Sequence, residues 1–456
     1  MMMKIVLIGA GSAQFGCGTL ADIFQRKLMV GAEICLMDIR EQALTQVYNI
    51  GKEYIEKNNL NFTLTATTDR KAALKDADFI ILSIEVGDRF ALWDMDWKLP
   101  QQFGVNQIYG ENGGAGGLFH ALRIVPPILE ICDDVVNICP DAYIFCYSNP
   151  MTAITTTVLR KYPDLKFIGM CHEIASLERY LPPILETPFE NLDLTAGGLN
   201  HFSVLVDAKY RDTGKDAYPD ILKKAPAFFE NEPGCSDIWK YTQLTGHIPE
   251  TEGATHRHKL HRETSSRPWS DRTLFKEILE HFHLLPITVD SHLGEYIHWA
   301  WETADHKGIL DFYSFYRFAL AQKERMQIQS TEVHERVVYI IEAILTGEEY
   351  TEPAVNIMNK NFIPGLPETV AVEIPARVNK TGLAGITLEN YPKGFAALLR
   401  NYTGVYDLTA EAILQSSKDL VIQALLVNPV VQKPRLVPDL VDLMLDQQKE
   451  YLSYIR

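Results

Sequence analysis

Residues 4–12 of the chain read Lys-Ile-Val-Leu-Ile-Gly-Ala-Gly-Ser, a short apolar run that leads directly into two glycines. The pattern predicts a buried strand, a glycine turn and then a helix. Gly9 permits the tight turn, and Gly11 lets the backbone approach a pyrophosphate at the amino end of the helix, where free N–H groups favour an anion. The stretch therefore predicts a dinucleotide site, and its expected members are Gly9, Gly11, Ser12, Gln14 and Phe15.

The second predicted strand ends in Leu36-Met37-Asp38. A carboxylate at this place can accept hydrogen bonds from both ribose hydroxyls of NAD, and it would repel the extra phosphate of NADP. The glycine pattern departs from the usual fingerprint, because Gln14 occupies the third glycine position. A glycine turn in an α/β domain that has lost its cofactor is the alternative interpretation. We expect NAD+ as the cofactor, with Asp38 on its ribose.

Short apolar runs alternate with stretches of helical spacing up to about residue 170. This alternation predicts an α/β fold with a Rossmann-like, doubly wound parallel sheet. Helical spacing dominates after residue 200, although VAVEIPARV (370–378) predicts a further strand. We therefore expect an NAD-binding Rossmann-like domain over residues 1–195. A second, mainly helical α+β domain for substrate binding and oligomerisation is expected over residues 196–456.

The composition limits the classes of partner. Asp and Glu outnumber Lys and Arg by 59 to 43 in the 456 residues, which gives a formal net charge of −16. This charge disfavours nucleic acid and an anionic membrane surface as partners. Seven cysteines without paired short spacings indicate free thiols in a reducing compartment. The sequence predicts neither a secretory signal nor a membrane-spanning helix, so the cytoplasm is the expected location.

A cysteine and a histidine are candidates for a metal site. Cys171 directly follows the last predicted strand of the parallel sheet, at the edge where such sheets bind ligands. His201 follows a glycine pair that predicts a turn. A thiolate and an imidazole suit a divalent transition metal if substrate oxygens complete its shell. The alternative is a buried, inert cysteine, since a structural zinc site needs four ligands.

Several longer stretches carry a resemblance to a known family. The chain resembles the NAD-dependent glycosidases of glycoside hydrolase family 4. The matching stretches are KIVLIGAGSAQFG (4–16), GENGGAGGLFHALRIVPPILEIC (110–132), CPDAYIFCYSNPMTAITTTVLR (139–160), CHEI (171–174), GGLNHF (197–202) and LPETVAVEIPARV (366–378).

The resemblance implies a set of site residues and an assembly. It implies a manganese ion, Mn2+, held by Cys171 and His201. It also implies a homodimer or homotetramer. Substrate contacts are expected from Arg89, Asn149, Asn200 and Glu173. A surface arginine and a strand-end turn at Asn149-Pro150 are the alternatives for two of these positions.

The resemblance also implies a mechanism. Bound NAD+ takes a hydride from carbon 3 of the sugar, and the metal acts as a Lewis acid while a base removes the proton of carbon 2. The aglycone then leaves, water adds and the hydride returns. Asp290 is the first candidate for the base, followed by His292 and Tyr296, and His172 or Asp290 could assist the leaving group. A helix start capped by Asp290 or Ser291 is the alternative interpretation of that segment.

The residues after the metal cysteine indicate the sugar. Cys171-His172-Glu173-Ile174 is most similar to the version found in α-galacturonidases, which act on uronic acids derived from pectin. A substrate carboxylate needs local positive charge, and Arg89, Arg123 and His120 are the candidates. The alternatives are an α-glucuronidase or an α-galactosidase/α-glucosidase of the same family, with phosphosugars less favoured. A malate- or lactate-type NAD-dependent 2-hydroxy-acid dehydrogenase and a silent NAD-binding sensor are the hypotheses from other classes.

Overall fold

A computed structural model describes residues 3–252, 257–261, 267–322, 328, 333 and 335–456. Its strands are β1 (Lys4–Ile8), β2 (Glu33–Met37), β3 (Thr63–Thr67), β4 (Phe79–Leu82), β5 (Tyr143–Cys146), β6 (Phe167–Gly169), β7 (Leu192–Leu199), β8 (Phe202–Tyr210), β9 (Thr251–Glu252), β10 (Arg257–His258), β11 (Leu285–Pro286), β12 (Tyr350–Met358), β13 (Ala371–Asn379) and β14 (Gly382–Gly385).

The helices cover the faces of the sheet and form much of the second half of the chain. They are α1 (Ala13–Phe24), α2 (Glu41–Lys57), α3 (Arg70–Leu74), α4 (Arg89–Gln102), α5 (Gly114–Ile138), α6 (Met151–Lys161), α7 (Ser176–Leu185), α8 (Tyr218–Asn231), α9 (Cys235–Thr245), α10 (Thr273–Glu277), α11 (Asp290–Leu293), α12 (Ala300–Thr303), α13 (His306–Gln322), α14 (Val337–Thr346), α15 (Lys393–Gln415), α16 (Lys418–Leu426), α17 (Val437–Gln447) and α18 (Lys449–Leu452).

The amino-terminal strands form the predicted parallel sheet. All five residues of β1 are buried, and β1 pairs in parallel with β2 on one side and β4 on the other. β3 extends the sheet beyond β2, and β5 and β6 extend it beyond β4. The resulting order, β3-β2-β1-β4-β5-β6, is that of the dinucleotide-binding fold. The prediction of a Rossmann-like, doubly wound sheet is confirmed.

The same sheet continues into the second half of the chain. Beyond β6 the order is β12, β13, β7, β8 and β11, all paired antiparallel, with β14 also on β13. β13 confirms the strand expected at 370–378. One 12-stranded sheet therefore contains strands from both sides of the expected domain boundary between residues 195 and 196. The division into two domains at that position stays a prediction.

One row of residues joins the two halves of the sheet. Gly169 of β6 lies opposite Asn356 of β12, Asn356 lies opposite Glu373 of β13, and Glu373 lies opposite Gly198 of β7. Gly169 allows the first of these contacts, because a Cβ there would lie 2.4 Å from Met151 Sδ and 2.9 Å from Asn356 Cβ. The row brings the end of β6 towards the turn that follows β7.

Helix α5 runs through the interior. Its length and composition alone would let it cross a membrane, but 83% of its most apolar window is buried within the molecule, as in the core helix of a globular domain. Two internal prolines, Pro126 and Pro127, lie in the middle of this helix.

A buried triangle of polar side chains fixes α5 against α4 and the carboxyl-terminal helices. Arg123 Nη2 lies 2.6 Å from Asp96 Oδ2, and Arg123 Nη1 donates to Gln448 Oε1 at 2.6 Å. Gln448 Nε2 closes the triangle on Asp96 Oδ1 at 2.7 Å. All three side chains are buried, so the loss of one would leave each of the other two with one fewer buried partner.

We predict that Arg123→Met lowers the free energy of unfolding by about 3–5 kcal/mol, because the change leaves the Asp96 carboxylate buried and unpaired. Urea denaturation followed by tryptophan fluorescence measures the loss. Arg123→Met combined with Asp96→Leu is expected to recover most of it, since no lone charge then remains.

Lys98→Met is the matched control, because Lys98 forms a more exposed pair with Asp94 on α4. Its expected cost is no more than about 1 kcal/mol. Equal losses for Arg123→Met and Lys98→Met would contradict the importance assigned to the buried triangle.

Candidate functional site

The structure brings the two predicted metal ligands together. Cys171 comes two residues after β6 ends, and His201 lies in the tight turn between β7 and β8 with a left-handed φ of +60°. Cys171 Sγ lies 3.5 Å from His201 Nε2. Ligand bonds of about 2.3 Å from sulfur and 2.0–2.1 Å from nitrogen, near a tetrahedral angle, would place the two donor atoms about 3.5 Å apart. The spacing therefore fits a shared divalent cation.

The protonation of His201 also suits a ligand. Burial, together with the charge of nearby His292, lowers the pKa of His201 to about 4. The imidazole is therefore neutral at pH 7, as metal binding requires. Its Nδ1 is buried without a hydrogen-bond partner among the described residues.

Two further side chains complete a cluster at this place. Donor atoms of Glu173, His201 and His292 all lie within 4.8 Å of one another. Burial alone would raise the pKa of Glu173, but His292 and His201 lower it below its usual value. Burial alone would lower the pKa of His292, but its hydrogen bond to Glu111 and the charge of Glu173 raise it to about 9.

Glu111, which the sequence analysis did not single out, links two predicted residues. Arg89 Nη2 donates to Glu111 Oε1 at 2.8 Å, and His292 Nε2 lies 3.5 Å from Glu111 Oε2. The guanidinium of Arg89 also lies over the rings of Trp93 and Tyr316. Glu111 lies in the glycine-rich stretch 110–117. An acidic residue among glycines just before a helix is the sequence feature that could have identified it as a site residue.

Asp290, the first candidate for the base, lies among hydrogen-bond donors of a neighbouring segment, and its role as base stays a prediction. Its carboxylate is fully buried and accepts hydrogen bonds from Leu274 N at 2.9 Å, Phe275 N at 2.9 Å and Thr273 Oγ1 at 3.0 Å. Burial raises its pKa to about 7. The carboxylate therefore caps a helix, as the alternative interpretation expects. The capped helix is α10, however, and not α11, which Asp290 itself begins.

The other two candidates for proton transfer also differ in their surroundings. Tyr296 is buried against Phe202, and its hydroxyl donates to Asn200 O at 3.3 Å. Burial raises the pKa of Tyr296 well above its usual value. His172 is exposed at the start of a short 3₁₀ turn. His292, by contrast, packs perpendicular to His201 with 4.5 Å between the ring centroids.

The remaining predicted substrate contacts lie at the same edge of the sheet. Asn149 follows β5 and is half-buried, with a cis bond to Pro150. Asn200 lies beside His201 in the turn, and its Nδ2 donates to Glu373 Oε2 at 2.8 Å. Their roles as substrate contacts stay predictions.

The predicted dinucleotide residues form a turn at the ends of β1 and β2. Gly9 has a φ of +87°, and a Cβ there would lie 1.8 Å from Ser83 O. Gly11 N donates to Asp38 Oδ2 at 2.8 Å. Ser12 begins α1, where its Oγ accepts from Phe15 N at 3.3 Å.

The turn offers an open backbone to a ligand. Gly9, Ala10 and Gly11 carry no side chain larger than a methyl group, so a pyrophosphate can approach the main chain at the start of α1. The side chain of Gln14 lies outside the described part of the chain. The arrangement of the glycines and Asp38 fits a dinucleotide.

Two domain models match nearly the whole chain. "Family 4 glycosyl hydrolase" matches residues 4–187, and "Family 4 glycosyl hydrolase C-terminal domain" matches residues 196–431. An α-glucosidase of Erwinia rhapontici is 58% identical over 457 residues and covers 100% of both chains. An α-galacturonidase of Bacillus subtilis (strain 168) is 28% identical, covering 95% of this chain and 94% of its own.

Solved structures share the fold. A 6-phospho-α-glucosidase from gut microorganisms, solved in complex with NAD and Mn2+, superposes with a TM-score of 0.77 at 21% identity and covers 98% of each chain. A 6-phospho-β-glucosidase of Thermotoga maritima, solved with manganese, NAD+ and glucose-6-phosphate, gives a TM-score of 0.75 at 21% identity and covers 98% of this chain and 99% of its own.

We predict that Gly9→Ala weakens NAD+ binding by at least about 10-fold, because a side chain at a positive φ costs about 1–3 kcal/mol and the turn must move away from Ser83. Calorimetric titration with NAD+ measures the change. Gly18→Ala on α1 is the matched control, since a Cβ there meets nothing within 4 Å. Unchanged NAD+ affinity in Gly9→Ala would show that this turn does not hold the dinucleotide.

Proposed function

Because the chain belongs to glycosyl hydrolase family 4, we propose that it is an NAD+- and manganese-dependent α-glucosidase. The observation that carries the proposal is the 58% identity to an α-glucosidase over the full length of both chains. The α-galacturonidase is only 28% identical, so the expectation of a galacturonide substrate, and of a role in pectin breakdown, gives way to the α-glucosidase alternative. Membership of the family also sets aside the 2-hydroxy-acid dehydrogenase.

The charges at the site support a neutral sugar. Two of the three basic side chains that could hold a substrate carboxylate already have acidic partners. Arg123 is paired with Asp96 in the buried triangle. His120 Nε2 lies 3.2 Å from Glu85 Oε1, and its Nδ1 contacts the backbone.

The third cation is also neutralised. Arg89 pairs with Glu111, and Glu85 lies 3.8 Å from its Nε. Glu173, next to the metal cysteine, adds a further negative charge, since its pKa is lowered. A uronate would meet more acidic than free basic groups at this site, whereas a glucosyl unit brings no charge and needs only hydrogen-bond partners.

The residues present fit both cofactors. The turn with Gly9 and Gly11, together with Asp38, would hold NAD+, and Cys171 and His201 would hold Mn2+. When bound, NAD+ supplies a temporary hydride acceptor and Mn2+ supplies Lewis-acid stabilisation of negative charge on the sugar oxygens.

The position of each candidate relative to the proposed metal ligands indicates which side chain exchanges a proton with the sugar. Among the four candidates, His292 is the side chain that lies directly against His201 and Glu173. The carboxylate of Asp290 is occupied by three donors of the α10 segment. We therefore assign proton donation at the sugar to His292, because its raised pKa keeps it protonated at pH 7. Glu111 and Ser291 Oγ, which lies 2.9 Å from its Nδ1, hold it in place.

Other properties remain proposals from the sequence. A small α-linked saccharide is the substrate class, and we retain the cytoplasm as the location and a homodimer or homotetramer as the assembly. Size-exclusion chromatography with light scattering measures the assembly directly.

We predict that Cys171→Ser weakens Mn2+ binding by more than the roughly 10- to 100-fold that loss of an outer-shell partner causes, while NAD+ affinity stays unchanged. Mn2+ binding is followed by electron paramagnetic resonance of the free ion. Cys235→Ser is the matched control, because Cys235 is also half-buried but begins helix α9, where its backbone N–H donates to Asp271 Oδ2 at 3.2 Å. Wild-type Mn2+ affinity in Cys171→Ser would refute the ligand assignment.

We predict that the aryl α-glucoside gives the highest kcat/KM in a panel that also contains the α-galacturonide, α-glucuronide, α-galactoside and 6-phospho-α-glucoside. A preference of at least about 10-fold over the uronides is expected, since a site whose cations are already paired offers a carboxylate no partner. Release of the aglycone should require NAD+ and Mn2+, without accumulation of NADH. A preference for a uronide, or net NADH formation, would contradict the proposed function.

A further inference from the structure

A buried carboxylate lies beneath the turn that carries His201. Glu373 on β13 is only 4% exposed. Its Oε2 accepts from Asn200 Nδ2 at 2.8 Å and from Asn356 Nδ2 at 3.1 Å, and its Oε1 accepts from Ser203 Oγ at 3.1 Å. The comparisons and the sequence motifs assign no role to this carboxylate.

The three hydrogen bonds fix the orientation of two amides. An ionised carboxylate only accepts hydrogen bonds, so Asn200 and Asn356 must each turn the Nδ2 end of the amide towards Glu373. Their Oδ1 atoms then lie on the opposite side, and both are buried without a hydrogen-bond partner among the described residues. Two unpaired buried acceptors at one place in a native fold require an explanation.

Asn200 connects this carboxylate to the metal ligands. It directly precedes His201 in the turn, and His201 Nε2 lies 3.5 Å from Cys171 Sγ. The residue that donates to Glu373 is therefore the immediate chain neighbour of a proposed metal ligand.

We propose that Glu373 is a positioning residue for the metal centre, which acts by orienting the Asn200 amide. The orientation fixes the turn that presents His201 and leaves Oδ1 free to accept a hydroxyl group of the sugar. The inference rests on the proposed function, because it takes Cys171 and His201 as manganese ligands. Groups that orient ligands in this way contribute to metal affinity although they do not touch the metal.

Glu373→Gln is the informative substitution. It preserves the size of the side chain, but its amide places a donor where Glu373 offers only acceptors. The substituted side chain cannot accept from Asn200, Asn356 and Ser203 in the same arrangement, so the Asn200 amide loses its fixed orientation. The expected result is a Mn2+ dissociation constant that rises by about 10- to 100-fold, the range observed for outer-shell partners of metal ligands.

The experiment compares four proteins in the presence of saturating NAD+: the unmodified chain, Glu373→Gln, Asn200→Ala and the double variant. Mn2+ binding is measured by electron paramagnetic resonance, and NAD+ affinity and the melting temperature report whether each protein is folded. If Glu373 acts through Asn200, Glu373→Gln has little further effect on Mn2+ affinity in the Asn200→Ala background. Additive effects of the two substitutions would overturn the inference.

Two other variants keep the test decisive. Glu352→Gln is the matched control, because Glu352 is a buried carboxylate on the neighbouring strand that binds Arg336 instead of Asn200; its Mn2+ affinity should equal that of the unmodified protein. Ser203→Ala removes one hydrogen bond from Glu373 without changing its charge. It should weaken Mn2+ binding by about 3-fold, and only when Asn200 is present.

The outcomes separate the two hypotheses. Wild-type Mn2+ affinity in folded Glu373→Gln, or in Ser203→Ala if Glu373→Gln does not fold, would overturn the positioning role alone. Failure of the unmodified protein to bind Mn2+ would overturn the proposed function, and the positioning role with it.

Discussion

The site depends on the row of backbone contacts that crosses the sheet at Gly169, Asn356, Glu373 and Gly198. On one side of the row lies the parallel sheet, whose strand end leads to Cys171. On the other side lies the hairpin whose turn holds His201. β12 meets β6 through the Asn356 contact and β13 meets β7 through the Glu373 contact. A side chain at position 169 would separate the strands, so backbone packing sets the distance between the two ligands.

Ion pairs within the site then determine which substrate charge the site favours. Glu111 holds Arg89 on one side and His292 on the other, so neither cation is free to attract an anionic group. Glu173 contributes a further negative charge close to the same place. The formal net charge of −16 therefore matters less than these local contacts, because charges beyond a Debye length of about 8 Å are largely screened at physiological salt. A neutral α-glucosyl unit is the ligand that this pattern favours.

The sequence predicted the features that local patterns encode. The alternating apolar runs predicted β1–β6, and strand ends predicted the placement of Asp38 and Cys171. Contacts between distant segments had no such signal, since Glu373 and Asn200 are 173 residues apart in the chain. Asp290 was ambiguous for a physical reason: a carboxylate at a helix start suits both a base and a cap, and the structure shows it bonded to backbone N–H groups.

The cost of burying carboxylates supports a role in the site for Glu373. A buried carboxylate is costly even when it is hydrogen-bonded, and replacement of buried polar groups by well-packed apolar ones is often neutral or stabilising. Stability alone therefore does not explain a buried carboxylate on a strand that lies between β12 and β7 in the sheet. The Asn200 amide that Glu373 orients lies in the turn between β7 and β8, where the next residue is His201, and His201 Nε2 lies 3.5 Å from Cys171 Sγ. A fixed orientation of the Asn200 side chain beside the proposed metal ligand is the functional gain that can offset the free-energy cost of burying Glu373.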